Sequence, residues 1–177
     1  MTATDKDIVI TSAVRTPIGT FQGCFKALKA DALGSAVTKA AMKKSNLNPN
    51  DVEELIMGQV LTGAAGQNPA RQAAISAGIP TEKTAYVINQ VCGSGLRSVA
   101  AGYQSIISND TKIVIAGGQE SMTNAPHAIY FRNGKKLNEE NLIDTMIKDG
   151  LWDAFNGYHM GFTAENVATK WEITRKE

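Results

Sequence analysis

Cysteine, histidine, net charge and long apolar runs are all scarce in this sequence. Two cysteines in 177 residues make no disulfide framework, so a reducing compartment is the default. Two histidines and two scattered cysteines offer no usual ligand spacing, and no metal site is expected. A formal net charge of +1 gives no electrostatic argument for nucleic acid, an anionic membrane surface or an acidic partner. No apolar run approaches the roughly 20 residues that a membrane helix requires. Residues 1–7 carry two acids and resemble neither a signal peptide nor an Arg-rich transit peptide. No repeat or low-complexity tract occurs. The glycine-rich stretch at 63–66 is not followed by Gly-Lys-Ser/Thr, which excludes a phosphate loop. What remains, 43% hydrophobic and 20% charged, reads as a soluble cytoplasmic protein long enough to bury a real core.

Strand and helix signals alternate along the first two thirds. The β-branched run at 8–14 predicts a strand that stops at Arg15-Thr16-Pro17. Asp31 is placed to cap a helix carrying Leu33, Val37, Ala40 and Ala41 on one face, ended by Asn48-Pro49-Asn50. Residues 55–61 read as a buried strand. Pro69 suits the first turn of a helix through Ala77, and Tyr86-Val87-Ile88 reads as a third strand. After Gly95, the residues Leu96, Val99, Ala100, Tyr103 and Ile107 fall on one helical stripe. Residues 113–116 form a fourth strand ended by Gly117-Gly118. Such alternation implies an α/β layered domain. Beyond it, residues 124–141 read as a polar surface excursion and 142–147 as a short amphipathic helix. An aromatic, glycine-punctuated loop follows at 150–161, then a helix over 163–171 with Thr163 as its cap. Thr174-Arg175-Lys176-Glu177 has the form of a capping box, as though a further helix were to follow.

Chemistry concentrates at Asn89-Gln90-Val91-Cys92-Gly93-Ser94-Gly95. A strand turning sharply into a helix exposes the turn residue at the helix N-terminus, where unpaired N–H groups favour negative charge. Flanking glycines let a substrate approach, as at the serine elbow of hydrolases. Cys92 is therefore either a nucleophile or a small buried residue beside glycines. A free thiol is only a few per cent ionised at neutral pH. A helix terminus contributes about 0.3–1 kcal/mol towards the thiolate, short of the roughly 2 kcal/mol that activation requires, so a histidine partner is expected. Of the two histidines, His159 in its Tyr-His-Met-Gly loop is the better candidate, and His127 reads as solvated. Cys24 reads as packing. The carboxylate of Glu120, beside a strand end, reads as a structural hydrogen-bond acceptor.

These residues resemble the thiolase family. Asn89-Gln90-Val91-Cys92-Gly93-Ser94-Gly95-Leu96-Arg97 looks like its acyl-accepting cysteine motif, and Arg15-Thr16-Pro17-Ile18-Gly19 like its opening motif. Gly66-Gln67-Asn68-Pro69-Ala70-Arg71, Gly117-Gly118-Gln119-Glu120-Ser121-Met122, Asp149-Gly150-Leu151, Gly157-Tyr158-His159-Met160-Gly161 and Thr163-Ala164-Glu165-Asn166 follow in the family's order. The Tyr-His-Met-Gly loop is typical of the short-chain, biosynthetic acetyl-CoA acetyltransferase class. The resemblance implies a thiolase-like layered fold with a mixed sheet. Residues 1–122 would form the N-terminal α/β domain and residues 123–177 part of a loop domain. It implies that Cys92 carries an acetyl group taken from acetyl-CoA, with its backbone N–H in the oxyanion hole. Attack by a second, deprotonated acetyl-CoA would give acetoacetyl-CoA and CoA. Leu151, His159 and Met160 match positions lining the pantetheine and acyl pocket, so His159 would shape that pocket and not act as principal base. CoA thioesters are substrates, and no cofactor is expected.

The family's base histidine, in a Gly-His-Pro motif, and its second catalytic cysteine have no counterpart among these residues. The resemblance thus implies an N-terminal half, inactive or nearly so by itself. The alternative is a half-subunit or binding module that needs a complementary C-terminal chain. Relatives of this kind are dimers or tetramers, and residues 124–141 match the segment used for tetramer contacts.

Overall fold

The computed structural model describes residues 7–132 and 141–177. It divides into two compact units, Met1–Asn124 and Ala125–Glu177. The first is an α/β layered unit, as its alternating pattern predicts. It contains helices α1 (Ala30–Ser45), α2 (Pro69–Ala77) and α3 (Ser94–Ile107), and strands β1 (Glu54–Gly58), β2 (Thr84–Ile88) and β3 (Val114–Gly118). The strands form a parallel sheet in the order β2-β1-β3, with Glu54 level with Thr84 and Val114.

The central strand is buried along its whole length, which its apolar sequence anticipates for a parallel strand covered on both faces. Its side chains alternate between those faces. Leu55 and Met57 pack into the core with Met42 of α1, Ala70, Ala73, Ala74 and Ala77 of α2, Val52 and Ile79. Glu54 and Gly58 turn towards α3, where Glu54 accepts from Ser105 Oγ at 3.0 Å. The alanine face of α2 allows close helix–helix and helix–sheet approach. Asn68 starts that helix in a left-handed conformation (φ 44°), accepting from the Arg71 N–H. The Arg71 guanidinium in turn holds the carbonyls of Thr81 and Lys83. Gly34 of α1 leaves the space that the buried amide of Gln119 fills: a methyl there would lie 1.7 Å from Gln119 Oε1.

Several elements differ from the sequence pattern. The run at 8–14 is no strand. β-propensity describes fit to a pleated, half-buried surface, and these residues have no paired neighbour: Val9 and Ile10 are 64% and 80% exposed. Instead the segment lies along α1, through Ser12 Oγ to the Ala41 carbonyl (3.2 Å) and Lys44 Nζ to the Ala13 carbonyl (3.1 Å). Asp31 does not cap α1. Lys29 occupies the cap position, and Asp31 sits in the first turn, where a carboxylate complements the helix dipole. The apolar stripe of α3 is turned outward, with Leu96 79% exposed, while the small residues Ser94, Ser98 and Gly102 face the sheet.

The second unit contains a two-stranded antiparallel pair, β4 (His127–Ala128) and β5 (Ile143–Asp144), a π-helical turn (Met146–Leu151) and helix α4 (Met160–Lys170). Among the named strands of the described residues, antiparallel pairing is confined to this pair. Of the excursion expected at 124–141, residues 133–140 lie outside the described residues. The amphipathic helix expected at 142–147 is replaced by β5 and the π-helical turn, at whose start Asp144 accepts from the Met146 N–H at 2.9 Å. The cap of α4 is His159, not Thr163, which falls inside the helix. Thr174 and Glu177 form the predicted capping box, with Thr174 N–H to Glu177 Oε2 at 3.0 Å and Glu177 N–H to Thr174 Oγ1 at 3.4 Å.

Candidate functional site

All three parallel strands deliver polar residues to their carboxyl ends, the edge at which open α/β sheets bind ligands. Gln59 follows β1, residues 89–93 follow β2, and Gln119 and Glu120 follow β3. The turn after β2 leads directly into α3. Val91 is β-branched yet left-handed (φ 48°), a conformation that costs such a residue about 1–3 kcal/mol and persists only where surroundings impose it. Gly93 caps α3, and the Cys92 thiol is exposed. The strand-to-helix elbow read from the sequence is present.

The elbow is seated in glycine. A methyl on Gly58 would meet Ser94 C at 2.4 Å and Gly95 N at 2.6 Å, and one on Gly118 would meet Gly95 Cα at 3.5 Å. The first turn of α3 therefore rests directly on the backbone of the sheet end. Ser98 Oγ adds a hydrogen bond to the Gly117 carbonyl at 2.7 Å. Behind the elbow lies a buried amide pair, in which Gln119 Nε2 donates to Gln59 Oε1 at 2.8 Å and Gln59 Nε2 to the Leu61 carbonyl at 2.9 Å. The Glu120 carboxylate accepts from the Val60 and Leu61 N–H groups at 2.8 and 3.2 Å. Burial raises its pKa above the ordinary carboxylate value, and the two backbone bonds oppose that rise. Both oxygens are thus engaged in holding the loop after β1. A cleft of about 410 Å³ opens here, lined by Gln59, Thr62, Asn68, Val87 and Asn89 among others.

The other residues singled out by sequence belong to the second unit. A bridge between Trp152 and His159 and the Asp153 N–H to Tyr158 carbonyl bond at 2.8 Å close the loop. Leu151 and Met160 flank its neck. His159 Nδ1 accepts from the Gly161 N–H at 2.9 Å, so the neutral ring carries its proton on Nε2. Hydrogen bonds from Asn156 and Phe155 lower the Asp153 pKa and fix the loop tip. His127 Nε2 lies 3.9 Å from Asp144 Oδ2 across the β4–β5 pair, on the surface as expected. Cys24 is exposed in a turn and does not pack into the core. No histidine falls within residues 1–124, so the unit that holds the thiol contains no imidazole. Among the described residues there is no group of His, Cys, Asp and Glu able to hold a metal, and no helix long and apolar enough to cross a membrane.

Sequence reasoning passed over Ser94, Gln59 and the left-handed Val91. The available signal for Gln59 was a polar side chain in the otherwise apolar run at 55–61. A β-branched residue before a nucleophile gives no sign of positive φ.

A family model described as thiolase, N-terminal domain, matches residues 8–177. Acetyl-CoA acetyltransferase of Paracoccus denitrificans is 60% identical over 169 residues, which cover 96% of this chain and 43% of that protein. The corresponding protein of Rhizobium meliloti is 56% identical over 170 residues, again 96% and 43%. A crystal structure of a thiolase from Ascaris suum in complex with coenzyme A superposes with a TM-score of 0.90 at 40% identity, covering 97% of this chain and 44% of that one. The chain spans less than half the length of the curated relatives it matches.

Proposed function

Because the chain belongs to the thiolase family, matched over the N-terminal domain, we propose that it supplies the acyl-accepting half of an acetyl-CoA acetyltransferase site. The observation that carries this reading is the exposed Cys92 thiol on a strained strand-to-helix elbow at the N-terminus of α3. The Cys92 thiolate attacks the carbonyl carbon of acetyl-CoA, forming a C–S bond while the carbonyl electrons move onto oxygen. The oxyanion collapses, the bond to the CoA sulfur breaks, and CoA leaves as thiolate. A second acetyl-CoA, deprotonated at its methyl carbon, attacks the acetyl-cysteine to give acetoacetyl-CoA and return the Cys92 thiolate. The reverse direction is thiolysis.

Leu151, His159 and Met160 line the acyl and pantetheine pocket in this reading, His159 offering Nε2–H as a donor. CoA thioesters are the substrates, and the chemistry calls for no further cofactor. The general base comes from outside residues 1–177, in keeping with the absence of any histidine from the unit that bears Cys92. A free thiol nucleophile suits the reducing cytoplasm. The working form is a homo-oligomer.

Incubation with acetyl-CoA followed by peptide mass mapping tests the reading. One acetyl group is expected on Cys92 and none on Cys24, with the label lost in Cys92→Ala. Failure to label Cys92 overturns the nucleophile. Sustained thiolysis by the 177-residue chain alone overturns the half-site.

A further inference from the structure

The five amides from Gln90 to Ser94 account for themselves almost completely. Gln90 donates to Ser94 Oγ at 2.8 Å, Val91 to Asn89 Oδ1 at 2.9 Å, Gly93 to the Gln90 carbonyl at 3.0 Å and Ser94 to the Val91 carbonyl at 3.1 Å. The Cys92 N–H alone takes no part in this set. Ser94 stands at its centre. It is 3% exposed, and its hydroxyl also donates to the Val91 carbonyl at 2.6 Å. A hydroxyl has one proton to give and lone pairs to accept with, and both capacities are used on the two peptide groups that build the turn.

The Val91 carbonyl and the Cys92 N–H belong to one peptide plane. In a trans peptide the two point in opposite directions. Two donors of Ser94, its hydroxyl and its own N–H, draw the carbonyl towards the first turn of α3, and the Cys92 N–H is thereby aimed away from it. Val91 is left-handed (φ 48°) in this arrangement.

We propose that Ser94 is a positioning residue for acyl transfer: by holding the Val91–Cys92 peptide plane, it presents the Cys92 N–H as an unspent donor to the oxyanion formed when Cys92 is acylated. The inference rests on the nucleophile reading above. It adds the residue that orients the donor.

The test compares two reactions of the same thiol. With p-nitrophenyl acetate, the Cys92 thiolate attacks a carbonyl carbon, a C–S bond forms, an oxyanion develops and collapses, and p-nitrophenolate leaves. With iodoacetamide, the thiolate displaces iodide at a saturated carbon and no oxyanion forms. Both rates are followed in the full chain by peptide mapping, so that Cys92 and Cys24 are read separately. Loss of an oxyanion donor costs about 10²–10³ in rate. Ser94→Ala leaves the Ser94 N–H on the carbonyl and loosens the plane without freeing it. The ratio of acylation to alkylation at Cys92 is therefore expected to fall about tenfold, and Ser94→Thr, which keeps the hydroxyl, to recover it. A ratio unchanged in Ser94→Ala, with both rates moving together, overturns the proposal and leaves the nucleophile standing. Wild-type Cys92 reacting with the ester no faster than Cys24 overturns both. Amide exchange in the wild-type chain decides the geometry even if Ser94→Ala does not fold. Rapid exchange at Cys92 with protection at Gln90 and Ser94 is expected, and equal protection at Cys92 overturns the proposal.

Discussion

Gly58 offers the most direct test of how the elbow is held. Replacing it by alanine adds a methyl carbon 2.4 Å from Ser94 C, 2.6 Å from Gly95 N and 2.6 Å from Ser94 O. All three are backbone atoms, so no side chain can rotate out of the way. Restoring an ordinary contact of 3.4 Å moves the start of α3, the end of β1 or both by about 1 Å. Overpacking of this kind costs about 1–3 kcal/mol, and a displacement of about 1 Å at a reacting group can lower its rate by about 10²-fold. Gly58→Ala is therefore expected to lower stability in urea or thermal unfolding and to slow acylation of Cys92 by p-nitrophenyl acetate more than that of Cys24. Gly95→Ala is the matched control for stability, since Gly95 itself flanks Cys92 where substrate approaches. A methyl there meets nothing within 4 Å, and the better helix former gains about 0.5–1 kcal/mol in α3. Equal stability for Gly58→Ala and wild type, with unchanged Cys92 reactivity, would refute the argument that the sheet end seats the elbow.

Two further substitutions probe the supports around it. Glu120→Gln keeps one acceptor oxygen and turns an NH2 towards the other backbone donor, leaving that N–H unmet at about 1–3 kcal/mol. Since the folded pKa of Glu120 is raised above the unfolded value of 4.5, its protonation-linked contribution is fully present below that value and is lost as pH rises through the folded pKa. The stability difference between wild type and Glu120→Gln should accordingly narrow as pH rises above 4.5, and a difference that widens in unfolding titrations contradicts the assignment. In the second unit, His159→Ala should cost about 1 kcal/mol through the lost cap of α4. His159→Asn, whose amide oxygen can take the Gly161 N–H, should unfold close to wild type, and an equal loss for both would show that the cap contributes nothing.

Much of this architecture was legible because its signals are local. The apolar run at β1, Pro69 at the start of α2 and the glycines closing β3 each specify their element within a few residues. Cys92 was legible for the same reason, with strand, turn and helix signals adjoining it. Segment 8–14 was not, because a strand depends on a neighbour that its own sequence does not reveal. The outward stripe of α3 also misleads, since apolar periodicity marks a face without saying what covers it. In this chain the sheet takes the opposite face through Ser94, Ser98 and Gly102, whose smallness gives no hydrophobic signal. Ser94 itself was hidden because a buried hydroxyl acquires its role from two peptide groups folded around it.

The space that Gly34 reserves for Gln119 bears on attempts to stabilise this chain. Exchanging a helix-interior glycine for alanine is a routine engineering step, gaining about 0.8–1.0 kcal/mol from backbone entropy and propensity alone. At position 34 the same step would set a methyl against Gln119 Oε1 and drive the amide off its bond to Gln59. A change made in α1 for thermostability would thus be registered at the far ends of β1 and β3.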